Sequence, residues 1–105
     1  MLFRSGAYNH VIKTLQTMYP SLRIILITPI YREHAEGIVD RTPLFVQAVK
    51  DIATFNNLPV YDAYHNLGFN QYNWAHYSND GLHPIIDVGQ PRMGEAISRY
   101  LNSVI

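Results

Sequence analysis

The chain has 105 residues, enough for one domain and no more. Eight Lys and Arg balance eight Asp and Glu, so no charge excess marks it for nucleic acid or an anionic membrane. Cysteine is absent, which excludes a disulfide framework, a thiolate metal site and a cysteine nucleophile. An apolar fraction of 48% is ordinary for a folded chain. No run is long enough to span a membrane, and MLFRSGAYNH has no apolar stretch of signal-peptide length. The chain is therefore read as soluble, with no feature that assigns a compartment.

The first segment, Ser5 to Tyr19, predicts a helix. Tyr8, Val11, Ile12, Leu15 and Met18 recur at helical spacing as one apolar stripe, and Pro20 stops it. RIILIT, Arg23 to Thr28, is a short β-branched run of the kind that forms a strand covered on both faces. The polar stretch from Ile30 to Arg41 has no period and predicts a loop. Thr42-Pro43 reads as an N-cap followed by proline at the first helical position. Phe45, Val49, Ile52 and Ala53 give the second helix its apolar face, and it ends near Asn57. PVYDAY, Pro59 to Tyr64, predicts a second strand running into a turn. A long aromatic loop follows, rich in asparagine. The last helix is predicted from Gly89 to Ser103, with Met93, Ala96, Ile97, Tyr100, Leu101 and Val104 on its apolar side.

The order α-β-α-β-α implies parallel strands joined by helical crossovers. Sites in such folds lie beyond the carboxyl ends of the strands. The loop at 29–41, the turn at 62–66 and Ser78 to Pro84 should gather there. Two strands are few for three helices, and RIILIT would have an open edge. The sequence reads as the back half of a larger α/β domain.

Ser78-Asn79-Asp80-Gly81-Leu82-His83-Pro84 places an acid and a histidine three residues apart. A turn across that spacing folds the carboxylate back towards the ring. Gly81 permits an unusual dihedral within it, and Pro84 restricts the backbone of His83. Asp80 holding Nδ1 would leave Nε2 to accept a proton from a nucleophile. The plainer alternative is an Asx-turn with a passive histidine. His76, Asp80 and His83 also carry metal-ligand atoms, but no H-E-x-x-H or comparable spacing accompanies them, and no metal or cofactor is expected. Arg32, Glu33 and His34 follow the first strand and fall at the site end, where Arg32 and His34 are substrate-binding candidates; a solvated charged loop is the alternative. Tyr77 is a third candidate. With Tyr61, Tyr64, Phe69, Tyr72 and Trp74 it either stacks on a sugar ring or acyl chain or packs beneath the long loop.

The D-G-L-H-P segment before an amphipathic C-terminal helix resembles the last block of the SGNH, or GDSL-type, hydrolases. RIILITP and LPVYDAY resemble that family's last two strands, so the likeness covers nearly the whole chain but only the family's C-terminal half. It implies a flavodoxin-like three-layer α/β/α sandwich with a parallel sheet. It also implies a metal-free esterase or lipase acting on acyl esters, including acetylated carbohydrates and lipids. Asp80 then matches the triad acid and His83 the general base. The family's G-D-S serine block and G-x-N-D block are not in this sequence, and neither Ser5 nor Ser78 lies in the matching element. The expectation is a partial domain, inactive alone, whose substrate pocket is completed by the nucleophile-bearing part. The alternative is a non-catalytic binding module that self-associates through the open strand edge, with the loop at 69–77 as its contact surface.

Overall fold

Pro20 is the first residue that cannot continue a helix, and a helix runs unbroken before it, α1 from Leu2 to Met18. The computed structural model describes residues 2–34 and 37–105, with side chains from residue 6 onward. Positions 35 and 36 of the predicted loop, and the side chain of Ser5, lie outside them.

Among the described residues six further elements follow: β1 (Leu26–Ile27), α2 (Thr42–Phe55), β2 (Val60–Tyr61), α3 (Ala63–Asn66), α4 (Trp74–Tyr77) and α5 (Gly89–Val104). The strands pair in parallel, Leu26 with Val60 and Ile27 with Tyr61. This is an α/β fold, as expected. Leu26 N–H donates to Pro59 O and Thr28 N–H to Tyr61 O, both at 3.0 Å, which sets the register.

The ladder is shorter than the sequence predicts. RIILIT offers six residues, but only two pair, because a strand exists only where a neighbour supplies hydrogen bonds. PVYDAY is, as expected, a strand that runs into a turn: the strand ends at Tyr61, and Ala63 and Tyr64 begin the short helical turn α3. Asp62 causes the switch: its side chain accepts the His65 backbone N–H at 3.0 Å, an N-cap that favours helix over strand. At α2 the cap is one residue early. Thr42 is the first helical residue, and its N–H donates to the Asp40 carboxylate at 3.0 Å.

The core lies on the Tyr61 side of the sheet. Tyr61, Ala63, Leu67, Phe69 and Trp74 form one buried cluster. Met93, Ala96, Ile97 and Tyr100 of α5 close over it, so the predicted stripe of the last helix meets its partner. The Tyr61 and Tyr100 rings approach to 5.0 Å between centroids. Helix α2 packs on both strands and on α1, burying Val46, Ile52 and Ala53. Phe45 and Val49 of its predicted face are only half-buried.

Helix α1 departs most from expectation. Of its predicted stripe only Ile12 is buried, while Tyr8, Val11, Leu15 and Met18 are exposed, Met18 by 62%. Asn56 Nδ2 ties α2 to it through Asn9 Oδ1 at 2.7 Å. Ile27 of β1 is exposed as well, by 43%. The sheet has two strands among the described residues, so β1 keeps one free edge.

Candidate active site

The segment from Ser78 to Pro84 is a closed turn. Ser78 and Pro84 form an antiparallel bridge, and Ile85 N–H donates to Tyr77 O at 2.8 Å. Between these ends Asp80 organises the backbone. Its Oδ1 accepts the N–H groups of Leu82 at 2.8 Å and His83 at 2.7 Å. Its Oδ2 lies 2.7 Å from His83 Nδ1. The carboxyl is held far below the usual carboxylate range, first by the bond to the His83 ring, then by the backbone N–H groups of His83 and Leu82. An ionised carboxylate only accepts, so Nδ1 carries the proton and the neutral ring keeps its lone pair on Nε2. No hydrogen bond among the described residues uses that Nε2. Both side chains are exposed, His83 by 79% and Asp80 by 54%, so the pair fixes the ring's orientation and adds little to folding.

Gly81 sits at φ +79°, and a Cβ there would run into the Glu33 carboxylate. Its carbonyl accepts from two other segments: Trp74 Nε1 at 2.7 Å and Glu33 N–H at 2.8 Å. Ser78, itself buried, receives the Gly81 N–H on Oγ at 3.0 Å. Thr28 at the end of β1 accepts the Tyr64 N–H at 3.2 Å, which joins the carboxyl ends of both strands.

A cavity of about 460 Å³ lies beside the turn, lined by Asp80, Gly81, Ser78, Trp74, Tyr31 and His34 among others. His83 is not part of its wall. A second cavity of about 490 Å³ shares Tyr31, His34 and Gln71 with it and reaches Tyr64 and His65. His34 thus borders the cavity next to Asp80, with Nδ1 3.7 Å from Asp40. Arg32 lines a different cavity, with Ile38, Val39 and Phe45. Tyr77 is packed into the loop, its ring 5.0 Å from Phe69 and its hydroxyl accepting from Arg92 Nη1 at 2.7 Å. Trp74 and Phe69 likewise belong to the core, whereas Tyr72 is 88% exposed.

Asp62-Ala63-Tyr64-His65, in the turn expected at 62–66, repeats the D-x-x-H spacing. The bonds repeat too: Asp62 Oδ1 accepts the His65 N–H, and Oδ2 lies 2.8 Å from His65 Nδ1. Here Lys50 Nζ also holds Oδ2, at 2.6 Å. Burial disfavours the Asp62 charge, but the bonds from Lys50 and His65 outweigh it and lower the pKa. The two pairs differ in anchorage: Asp62 is pinned by a lysine, and the Asp80 turn by its own backbone. Among the described residues no three His, Asp or Glu side chains gather in a way that would hold a metal ion. No helix among them is long and apolar enough to cross a membrane.

Known structures share this fold. One crystal structure superposes with a TM-score of 0.80 at 23% identity, over 95% of this chain and 52% of its own. The esterase domain of the ZfL2-1 ORF1 protein from the zebrafish ZfL2-1 retrotransposon superposes with a TM-score of 0.75 at 20% identity, over 97% of this chain and 59% of its own. The chain therefore spans little more than half the length of either neighbour. At these identities the likeness is one of fold: an α/β fold also found in an esterase domain. Neither a protein-family profile nor a curated protein sequence matches the chain.

Proposed function

We propose that the chain supplies the acid and base of an SGNH-type ester hydrolase acting by Ser-His-Asp acyl transfer. The observation that carries this is the 2.7 Å contact between Asp80 Oδ2 and His83 Nδ1, in a turn that leaves Nε2 unengaged. The esterase domain among the structural neighbours supports the same class. In the reaction a serine Oγ attacks the ester carbonyl and passes its proton to His83 Nε2. Collapse of the tetrahedral intermediate gives the alcohol that proton and leaves an acyl-enzyme. A water then gives a proton to Nε2 and attacks the acyl carbon; collapse of this second tetrahedral intermediate breaks the acyl–Oγ bond, releases the acid and returns the proton from Nε2 to the serine. Asp80 holds Nδ1–H and stabilises the imidazolium at each stage. The serine and the oxyanion donors are assigned to a part of the fold beyond these 105 residues. Ser78 does not serve, because its Oγ is engaged with Asp80 and the Gly81 N–H.

The test is ester turnover, on a nitrophenyl acetate and an acetylated sugar, by a polypeptide that carries this chain with the nucleophile-bearing part. His83→Ala is expected to lower kcat by about 10³-fold or more, and Asp80→Asn by roughly 10²–10⁴-fold, with KM little changed. Turnover unaffected by His83→Ala refutes the assignment. The 105 residues alone are expected to show no turnover.

A second reading has its own observations: α1 exposes most of its apolar stripe, and β1 keeps an unpaired edge among the described residues. In it the chain is a non-catalytic module that self-associates there. Light scattering would then find a dimer that Ile27→Lys dissociates, and a monomer at all concentrations removes this reading.

A further inference from the structure

The Asp80–His83 turn is held from outside as well as from within, and the outer hold converges on one atom. Gly81 O accepts the indole N–H of Trp74 at 2.7 Å and the backbone N–H of Glu33 at 2.8 Å. Gly81 follows the acid directly and precedes the two residues whose N–H groups that acid captures. Fixing its carbonyl fixes the Gly81–Leu82 peptide plane, whose N–H the Asp80 carboxylate accepts, and so the direction from which Asp80 meets the imidazole.

Trp74 suits the task. It is 3% exposed, and its ring is braced by Phe69 at 5.0 Å and edge-on by Tyr31 at 5.6 Å. The indole has one donor, and Gly81 O receives it. A buried donor aimed at a carbonyl is costly to leave unpaired, so the ring and the carbonyl hold each other. Phenylalanine would supply the packing and omit the bond.

We infer that Trp74 is a positioning residue for the acid–base pair: through Gly81 O its indole N–H sets the Asp80 turn so that His83 carries its proton on Nδ1. No ring contact or hydrogen bond among the described residues joins it to the His83 imidazole, so it acts through the turn. This rests on the catalytic reading of Asp80 and His83, but its test does not need turnover.

The second D-x-x-H pair provides an internal control. Asp62 and His65 repeat the spacing and the bonds, but none of the hydrogen bonds among them involves Trp74. Imidazole ¹⁵N spectra of the 105-residue chain, above the pH at which the rings protonate, report the proton position on each histidine. In the wild type both His83 and His65 are expected as Nδ1–H tautomers. In Trp74→Phe, His83 is expected to lose that dominance in favour of Nε2–H, while His65 keeps it. A wild-type His83 already in the Nε2–H form would overturn the catalytic geometry itself. A wild-type Nδ1–H signal that Trp74→Phe leaves unchanged would overturn only the role of Trp74. Parallel change at His83 and His65 would mean general loosening, which also overturns it. Should Trp74→Phe fail to fold, Gly81→Ala attacks the same contact from the turn, through its positive φ and the crowding against Glu33. It carries the same expected outcomes for both histidines.

Discussion

A carboxylate bound to an imidazole can be catalytic or structural, and the two Asp–His pairs of this chain divide on what else each acid holds. Asp80 spends its oxygens on its own turn. Asp62 is a cross-link, joining α2 through Lys50 to α3 through the His65 N–H and ring. Asp62 is the better placed to matter for stability, since its side chain is only 17% exposed. Its folded pKa is lowered, so the stability it contributes is fully present above the ordinary carboxylate value. That stability is lost as pH falls through the lower folded value. Asp62→Asn is expected to cost about 1 kcal/mol at neutral pH, in the range of a charge-assisted bond partly replaced by a neutral one. It should also flatten the acid side of the stability profile. Urea melts at a series of pH values check this, and an unchanged acid slope would contradict it. The Asp80 pair was legible in the sequence because its contacts span three residues. The grip of Trp74 was not, because it reaches seven residues along the chain to a carbonyl that carries no side-chain signature. Asp62-x-x-His65 has the same spacing, and the turn expected at 62–66 is there, but the spacing alone does not show that the Asp62 carboxylate reaches both the His65 N–H and its ring.

Among the elements, periodicity marked which helices exist better than what they touch. The stripe of α5 closes over Tyr61 and the aromatic cluster, as its spacing demands. The stripe of α1 is equally regular, yet Ile12 alone is buried. Period 3.6 shows that a face is apolar; its partner is a matter of tertiary structure. The difference is measurable in this chain. Ile12→Ala is expected to cost about 2–4 kcal/mol, as for other buried aliphatic truncations. Met18→Ala should stay within about 0.5 kcal/mol, as for surface changes. Equal costs in denaturant melts would mean that α1 is covered in solution. Close approach also governs the start of α5. A Cβ on Gly89 would lie 2.6 Å from Tyr77 O and from Pro84 Cβ, so the helix backs directly onto the Asp80–His83 turn. Gly89→Ala should therefore lower the melting temperature, and a neutral result would show that the turn can yield.

Over the whole molecule, the α/β class and its parallel pairing were readable, because helices alternate with β-branched runs. The six residues of RIILIT give a two-residue ladder with a free edge, and two solved structures match nearly all of this chain with little more than half of their own. Both facts bear on the proposal that a further part of the fold completes the site, with Asp80 and His83 as its acid and base. Thr28 ties the carboxyl ends of both strands to Tyr64, and the cavities beside Asp80 and beside His65 share Tyr31, His34 and Gln71. The central claim is that the pair at Asp80 and His83 is the catalytic one. It is tested most directly by comparing His83→Ala with His65→Ala in the polypeptide that carries the serine, measuring ester kcat. The expected result is a loss of about 10³-fold or more for His83→Ala and a change within a few-fold for His65→Ala. The reverse order, or equal small losses, would contradict the assignment.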